Sequence, residues 1–250
     1  MRNSRSQRNI REILTSIWNI ISAWLWPEVC PFCGKASSQG ICTICRRKLE
    51  MLRIREPRCM QCGKPIRHVE QEYCHDCMHT RHHYDQGLSL WLHKAPVSTS
   101  IYQFKYHNQR RYGIHYTEEL ICCYGHMIKR WNPDLIIPIP LHKKRRKKRG
   151  YNQAEIVSRE LGRRLQIPVD EKSLVRRIAT SPQKILSHSE RKKNLRKAFA
   201  LKWAVYPAST VLLIDDIYTT GNTIDAAAEV LKQNGVEKVY FLTISIGQGY

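Results

Sequence analysis

The chain has 250 residues, of which 42% are hydrophobic and 25% are charged, and its formal net charge is +21. This length suits one domain of moderate size with a small one beside it. Because so large a positive charge needs neutralising contacts, we expect an anionic partner.

Apolar residues recur at helical spacing through residues 1–26, which predicts an amphipathic N-terminal helix. They are Ile10, Ile13, Leu14, Ile17, Trp18, Ile21, Trp24 and Leu25. The segment is too short and too polar to span a bilayer, and no small-residue cleavage site follows its arginines, so neither a transmembrane segment nor a signal peptide is expected. We expect the helix to dock on the protein body, with peripheral membrane contact as the alternative.

Eight of the ten cysteines form four C-x-x-C pairs within residues 27–80. The pairs are Cys30/Cys33, Cys42/Cys45, Cys59/Cys62 and Cys74/Cys77. Because four thiolates satisfy one structural Zn²⁺, eight of them predict two zinc sites. Sequential pairing gives two zinc ribbons, and the spacing also permits an interleaved arrangement. Disulfides are disfavoured because C-x-x-C closes too small a loop, and metal-bound thiolates imply a reducing, cytoplasmic compartment.

The remaining cysteines, Cys122 and Cys123, lack the spacing of a metal site, which predicts core positions on a helix. A histidine-rich stretch follows the last cysteine pair and includes His82 and His83. With eight cysteines available as ligands, we expect these histidines to serve the surface or the packing.

Residues 81–250 alternate between strand and helix patterns. The predicted strands are Gly87–Leu92, Asp134–Leu141, Leu174–Arg176, Ala198–Leu201, Val211–Ile214 and Val236–Ser245; the predicted helices are Pro96–Phe104, Ile114–Arg130, Asn152–Leu165 and Thr223–Asn234. Such alternation indicates an α/β fold with a mostly parallel sheet flanked by helices. Ligands of these sheets bind beyond the carboxyl ends of the strands, where we expect Asp215 and the loop after Leu141.

Basic residues are concentrated between residues 141 and 200, which hold 19 Lys and Arg against 5 Asp and Glu. Seven consecutive cations begin at Lys143, and they neither alternate nor pair with acids as on a solvated helix face. We predict single-stranded DNA or nucleic acid in general as the partner, because neutralised phosphates release counterions. The predicted contacts are Lys143, Lys144, Arg145, Arg146, Lys147 and Lys148. Tyr151, Trp203 and Tyr206 are candidates for stacking on bases, and a membrane surface or an acidic protein is the alternative partner.

Residues 211–223 read V-L-L-I-D-D-I-Y-T-T-G-N-T, which places two carboxylates before a short loop that contains glycine. In a turn between strand and helix, backbone N–H groups converge on one point that suits a phosphate. The predicted phosphate contacts are Thr219, Thr220, Gly221, Asn222 and Thr223. Asp215 and Asp216 are expected to accept hydrogen bonds from vicinal hydroxyls or to hold hydrated Mg²⁺. The stretch resembles the phosphoribosyl pyrophosphate (PRPP) signature of type I phosphoribosyltransferases.

Further motifs extend this resemblance. They are P-I-P-L at residues 138–141, R-G-Y-N-Q-A at 149–154, R-x-x-x-T-x-x-Q at 176–183 and E-R-x-x-N-L at 190–195. Together with the four cysteine pairs, they resemble the ComF/GntX family. The resemblance implies a type I phosphoribosyltransferase-like domain over residues 81–250, preceded by a double zinc ribbon over residues 27–80.

The family resemblance also implies functional roles. Arg149, Gly150 and Tyr151 would form a loop facing the pyrophosphate of PRPP, which is bound with Mg²⁺. A mobile hood would contact the ligand through Arg177, Thr180, Gln183 and Arg191. The implied function is DNA uptake during natural transformation, in the cytoplasm beside a competence helicase and other uptake proteins, or peripherally at the membrane uptake machinery.

The phosphate loop departs from purine-salvage transferases, which carry an acid where this chain has Tyr218, Thr219 and Thr220. General acid/base help from that position is therefore absent, and no catalytic residue is identified. Two alternatives to the competence function follow. One is an active phosphoribosyltransferase with an unidentified acceptor, and the other is a structural zinc adaptor whose transferase domain is vestigial.

Overall fold

The computed structural model describes residues 28–177, 198–203 and 208–247. The helix predicted over residues 1–26 lies outside this part of the chain, as do four predicted contact residues: Thr180, Gln183, Arg191 and Tyr206. Within the described ranges, no helix is long and apolar enough to cross a membrane.

Six strands and seven helices are found in the described ranges. The strands are β1 Gln86–Leu92, β2 Leu135–Pro138, β3 Leu174–Arg176, β4 Phe199–Leu201, β5 Thr210–Tyr218 and β6 Lys238–Ile246. The helices are α1 Thr43–Leu52, α2 His75–His79, α3 Val97–Tyr106, α4 Tyr112–Trp131, α5 Lys143–Arg149, α6 Gln153–Leu165 and α7 Asn222–Gln233. The elements predicted between residues 81 and 250 are all present; the strand Leu174–Arg176 has its predicted ends, and the ends of the others are shifted. The largest shift is in β5, which continues through both acids to Tyr218 instead of ending at Ile214.

The main sheet has four parallel strands in the order β1-β6-β5-β2. β5 lies between two neighbours, which explains its unbroken apolar run, because a strand covered on both faces has no solvent side. Its Ile214 pairs with Pro138 of β2 and with Leu242 of β6. The parallel pairing brings the carboxyl ends of all four strands to one edge of the sheet.

β3 and β4 do not join this sheet, although the strand and helix alternation predicted that they would. They pair with each other in a separate antiparallel two-stranded sheet. The outer edge of β2 is occupied by another segment, since Ile136 donates its N–H to Pro168 and accepts from Asp170, both at 2.9 Å. No edge of β2 therefore remains for β3.

A hydrophobic core covers each face of the main sheet. Leu212 and Ile214 of β5 point into a core shared with α3, α4 and α6. Val211 and Leu213 point into the opposite core, shared with α7 and with the β3–β4 pair. The cysteine-rich region contributes to both cores: Cys30, Phe32 and Leu49 to the first, and Ile54, Cys59 and Cys62 to the second.

The cysteine-rich region also covers the outer edge of β1. Ile54 donates its N–H to the Leu90 carbonyl at 3.1 Å, and Gly87 donates to the Gln61 carbonyl at 2.8 Å. Covering an edge strand protects its unpaired backbone groups from pairing with other chains. The region is therefore joined to the sheet by hydrogen bonds and shared cores, and the boundary at residues 80 and 81 stays a prediction.

The two cysteines outside the C-x-x-C pairs lie on α4, as the sequence predicted, but only one of them approaches the core. The core face of α4 carries Tyr116, Leu120 and Tyr124 at helical spacing. Cys123 is half-buried beside this face, whereas Cys122 is exposed, so the core position predicted for Cys122 is wrong. Successive residues of a helix point in different directions, so Cys122 faces away from the core face that Cys123 borders.

Two glycines occupy equivalent turns after the second cysteine of a pair, and both have positive φ: 72° for Gly34 and 69° for Gly63. A Cβ at Gly63 would lie 2.7 Å from the Gly87 carbonyl of β1, whereas a Cβ at Gly34 would meet no atom within 4 Å. Both Gly→Ala variants place an alanine at positive φ, which costs free energy in the folded state. Only Gly63→Ala also creates a steric clash between the second ribbon and β1.

We therefore expect Gly63→Ala to lower the free energy of unfolding by about 2 kcal/mol more than Gly34→Ala does. Urea unfolding of the zinc-loaded variants measures the difference. Equal losses in the two variants would contradict the close contact between the second ribbon and β1.

Candidate functional site

The adjacent carboxylates, Asp215 and Asp216, lie in the last part of β5 at the carboxyl edge of the sheet. Asp216 forms an ion pair with Lys105 of α3, with 2.7 Å between Nζ and Oδ1. Both side chains are mostly buried in this contact. Because Lys105 comes from the helix that follows β1, the fold rather than local sequence brings this cation to the acid.

Asp215 lies in a different environment. Its Oδ1 accepts a hydrogen bond from the Asp216 N–H at 2.8 Å. Burial and repulsion from Asp216 raise the pKa of Asp215 to about 7, against the attraction of Lys105 and Arg176. Part of the residue's surface still reaches solvent. A bound cation would favour its charged form.

The two acids are thus flanked by cations from opposite layers of the fold. Lys105 belongs to α3, whose apolar residues line the first core, and Arg176 belongs to β3, which packs in the second. Such an arrangement offers acceptors for hydroxyl groups or Mg²⁺, with cations close by for phosphate oxygens. The residues present therefore fit a hydrated Mg²⁺ and a phosphorylated sugar.

The predicted phosphate loop links β5 to α7 at the same edge. Gly221 has φ 77° and precedes the first residue of α7. A Cβ there would lie 2.5 Å from the Tyr218 hydroxyl, so both the backbone angle and the close approach require glycine. Thr219 and Thr220 are exposed, and the two residues after Gly221 are half-buried. The loop therefore presents short donors to solvent at a helix N-terminus.

An aromatic cluster packs around Tyr218, the last residue of β5 before this loop. Tyr218 stacks on Phe241 with ring centroids 5.0 Å apart, and its hydroxyl lies 2.8 Å from that of Tyr84. His82 stacks on Tyr84 at 4.7 Å, and Asp225 of α7 accepts the His83 N–H at 2.6 Å. The packing role expected for these histidines is confirmed for His82, which is buried. The segment that leaves the second ribbon thus holds the phosphate loop in place.

The basic run forms α5, which begins soon after β2 ends, next to the acid pair. The six predicted nucleic-acid contacts, Lys143 to Lys148, are all exposed. Arg146 nevertheless forms an ion pair with the buried Glu155 of α6, so the prediction that this run makes no pairs with acids is wrong for Arg146. Sequence spacing could not reveal this pair, because the turn after α5 folds α6 back against it.

The residues predicted to face the pyrophosphate close this turn. Gly150 ends α5 with φ 78°, and Arg149 donates to Gln153 and to the Tyr106 hydroxyl, both at 3.1 Å. Tyr151 is buried, and its hydroxyl donates to the Phe104 carbonyl. The sequence predicted that this ring stacks on bases, which is wrong because the ring is buried, whereas the ring of Trp203 is exposed.

Two residues at this edge, Lys105 and His93, were not singled out from the sequence, and Lys105 carries no motif. Arg176 begins the R-x-x-x-T-x-x-Q motif, but the contact predicted there was Arg177, whose side chain is exposed and whose N–H donates to the Ala198 carbonyl. His93 follows β1 directly, so its position at a strand end could have indicated it. Its Nδ1 lies 2.9 Å from the Ser245 hydroxyl, and burial and the nearby Lys105 lower its pKa.

The eight paired cysteines form two separate clusters, and within each the four Sγ atoms lie within 4.8 Å of one another. The clusters are Cys30/Cys33/Cys42/Cys45 and Cys59/Cys62/Cys74/Cys77. The sequential pairing is therefore correct and the interleaved one is not. Sγ distances of 3.7 Å for Cys33 and Cys42 and 3.6 Å for Cys62 and Cys74 match a tetrahedron with Zn–S bonds of about 2.3 Å, whose sulfurs lie about 3.8 Å apart.

The two clusters are built alike. In each, the glycine after the second cysteine donates its N–H to the first cysteine's carbonyl at 2.9 Å. In each, the third cysteine is the N-cap of a short helix: Cys42 for α1 and Cys74 for α2. Both sites have four sulfur ligands, as structural zinc sites do, which leaves no position for a substrate.

We expect the purified protein to contain two zinc ions per chain, measured by atomic emission. Cys33→Ser removes a thiolate that is exposed to solvent, so we expect it to lower the content to one zinc with the second site intact. Cys122→Ser is the matched control, because Cys122 is also exposed but belongs to neither cluster. Two zinc ions in the Cys33→Ser variant would contradict the first ligand set.

Comparisons with known proteins agree with this organisation. The model of the double zinc ribbon domain matches residues 21–78, and that of the phosphoribosyl transferase domain matches residues 120–245. Competence protein F of Haemophilus influenzae is 32% identical over 211 residues, which cover 81% of this chain and 89% of the relative.

Two further relatives cover similar shares. DNA utilization protein YhgH of Escherichia coli strain K12 is 30% identical, over 80% of this chain and 87% of the relative. Competence protein ComFC of Bacillus subtilis is 26% identical, over 79% and 80%. The chain therefore belongs to the ComF/GntX family and combines a double zinc ribbon with a type I phosphoribosyltransferase-like α/β domain.

Proposed function

We propose that this protein acts in competence and DNA utilisation by binding a PRPP-type ligand with Mg²⁺ at the carboxyl edge of the sheet and single-stranded DNA along α5. The proposal has a ligand half, binding of the PRPP-type ligand, and a DNA half, binding of the single strand. The ligand half rests on the acid pair of β5, which lies between Lys105 and Arg176 beside the loop at Gly221. The names of the relatives, competence protein and DNA utilization protein, support the DNA half.

The ligand half follows from the chemistry of the edge. Asp215 and Asp216 supply acceptors for the ribose hydroxyls and Mg²⁺, and the loop of residues 219–223 supplies donors for the 5-phosphate. Arg149 and Gly150, at the end of α5, are proposed to face the pyrophosphate. Contacts from Arg177 and from the three predicted hood residues outside the described ranges remain part of the proposal.

The double variant Asp215→Asn with Asp216→Asn keeps the shape of both side chains and removes both charges. We expect its affinity for PRPP with Mg²⁺ to fall by at least about tenfold, because hydrogen bonds to charged groups contribute more than those to neutral ones. Calorimetric titration of the zinc-loaded protein measures the loss.

Asp134→Asn is the matched control, because Asp134 lies beside the amino end of β5 and accepts the Thr210 N–H at 2.8 Å. We expect its affinity for PRPP to equal that of the parent. Unchanged affinity in the Asp215 and Asp216 variant would refute the assignment of the acid pair. Pyrophosphate release from PRPP that depends on an added candidate acceptor would establish the alternative, an active phosphoribosyltransferase.

The DNA half rests on α5. Its lysines are exposed, and the helix starts close to the ligand edge because β2 pairs with β5. A cluster of exposed cations attracts the phosphates of a nucleic acid without reading its sequence. The arginines of the run are partly engaged within the protein, as Arg146 is by Glu155, so the four lysines are the better candidates for phosphate contacts.

Lys147→Gln with Lys148→Gln removes two charges from the last turn of α5. We expect weaker binding of an oligothymidine and a salt dependence whose logarithmic slope is smaller by about 1.4, because each phosphate contact on a single strand contributes about 0.7. Fluorescence anisotropy at several salt concentrations measures both quantities.

Lys129→Gln with Arg130→Gln is the charge-matched control, since these exposed cations occupy the last turn of α4, just before β2 begins. That end of the sheet is opposite the ligand edge. If the α4 pair and the α5 pair changed the slope equally, the path of the DNA would not follow α5. The competence helicase and other uptake proteins stay proposed partners, on the family resemblance alone.

A further inference from the structure

Two exposed tyrosines stand side by side on α3, between the acid pair and α5. Tyr102 is 55% exposed and Tyr106 is 51% exposed, and their ring centroids are 4.9 Å apart. They are one helical turn apart, which places them on the same face. The core face of α3 is formed by other residues: Val97, Ser100, Ile101 and Phe104. Packing therefore does not account for either ring.

Single exposed apolar side chains are common and need no function. Among the described residues, the exposed phenylalanine, tyrosine and tryptophan side chains are Tyr73, Tyr102, Tyr106 and Trp203. Tyr102 and Tyr106 are the two of these that contact each other. They form a continuous aromatic surface, which an isolated exposed ring does not.

Arg149, at the end of α5, contacts this aromatic surface. The Arg149 guanidinium lies 4.9 Å from the centroid of the Tyr106 ring and donates to its hydroxyl at 3.1 Å. Arg149 is the last of the seven cations of α5, so the basic helix ends at the tyrosines. On the other side, Lys105 of the same helix forms the ion pair with Asp216. The surface thus connects the basic helix to the ligand edge.

We propose that Tyr102 and Tyr106 form a stacking platform for the bases of single-stranded nucleic acid whose phosphates lie along α5. Stacking on aromatic rings combined with a positive groove is how proteins bind single strands without sequence preference. Arg149 contacts the Tyr106 ring from the end of α5, so a strand whose phosphates lie along the exposed lysines of that helix would bring its bases to the rings. The platform rests on the proposed DNA half of the function and replaces the buried Tyr151 as the aromatic partner of the strand.

The test is the double variant Tyr102→Leu with Tyr106→Leu, titrated with an oligothymidine by fluorescence anisotropy. We expect the affinity to fall by about tenfold or more, because each ring lost removes a stacked base. The slope of the salt dependence should stay that of the parent, because no charge has been removed. Tyr102→Phe with Tyr106→Phe keeps both rings and should bind like the parent.

Two further controls separate stacking from other effects. Tyr73→Leu removes an exposed ring from the cysteine-rich region and should leave the affinity unchanged. A DNA duplex of the same length has no unpaired bases, so its affinity should be the same for the parent and for the leucine variant. PRPP titration of the leucine variant reports on whether the neighbouring ligand edge is intact.

The outcomes distinguish the platform from the function on which it rests. If the parent binds the oligothymidine and the leucine variant binds it as tightly, the platform is refuted and the DNA half stands. If the leucine variant weakens duplex and single strand alike, the rings do not stack on bases, and the platform is equally refuted. A parent protein that binds no single strand would overturn both.

Discussion

The parallel pairing of β5 with β2 and β6 is the constraint on which the rest of the structure depends. Because all three strands run the same way, the acids of β5, the turn that leads into α5 and the end of β6 meet at one edge. The apolar residues Val211 to Ile214 hold this strand in the centre, covered on both faces. Two costly carboxylates are tolerated next to that core because Lys105 and Arg176 approach from opposite layers.

The zinc ribbons extend this arrangement. A cluster of four thiolates fixes a short segment with no core of its own, which lets the region reach both faces of the sheet and cover the edge of β1. The segment after the second cluster then continues into His82 and Tyr84, which support the phosphate loop through Tyr218. The second ribbon, the sheet edge and the phosphate loop are therefore connected through direct contacts. The role of the ribbons is structural, because four sulfur ligands leave no free coordination position on either metal.

The sequence predicted the features whose cause is local. The four C-x-x-C pairs, the apolar run of β5 and the glycine at 221 each follow from short-range chemistry, and all three are present. What it missed depends on contacts between distant segments. Lys105 reaches Asp216 across 111 positions of the chain, and Tyr151 is buried because the turn after α5 returns to α3. The separate β3–β4 pair was missed for the same reason, since the Val169 segment occupies the edge of β2.

We propose that one chain joins a ribose-phosphate site to a single-stranded DNA path, through the contacts from Arg149 to Tyr106 and from Lys105 to Asp216. The most direct test is to titrate the zinc-loaded protein with PRPP and Mg²⁺, with and without a saturating oligothymidine. The account predicts that the DNA changes the affinity for PRPP, and that PRPP changes the affinity for DNA by the same factor. Two affinities that do not depend on each other, or no PRPP binding in either condition, would contradict it.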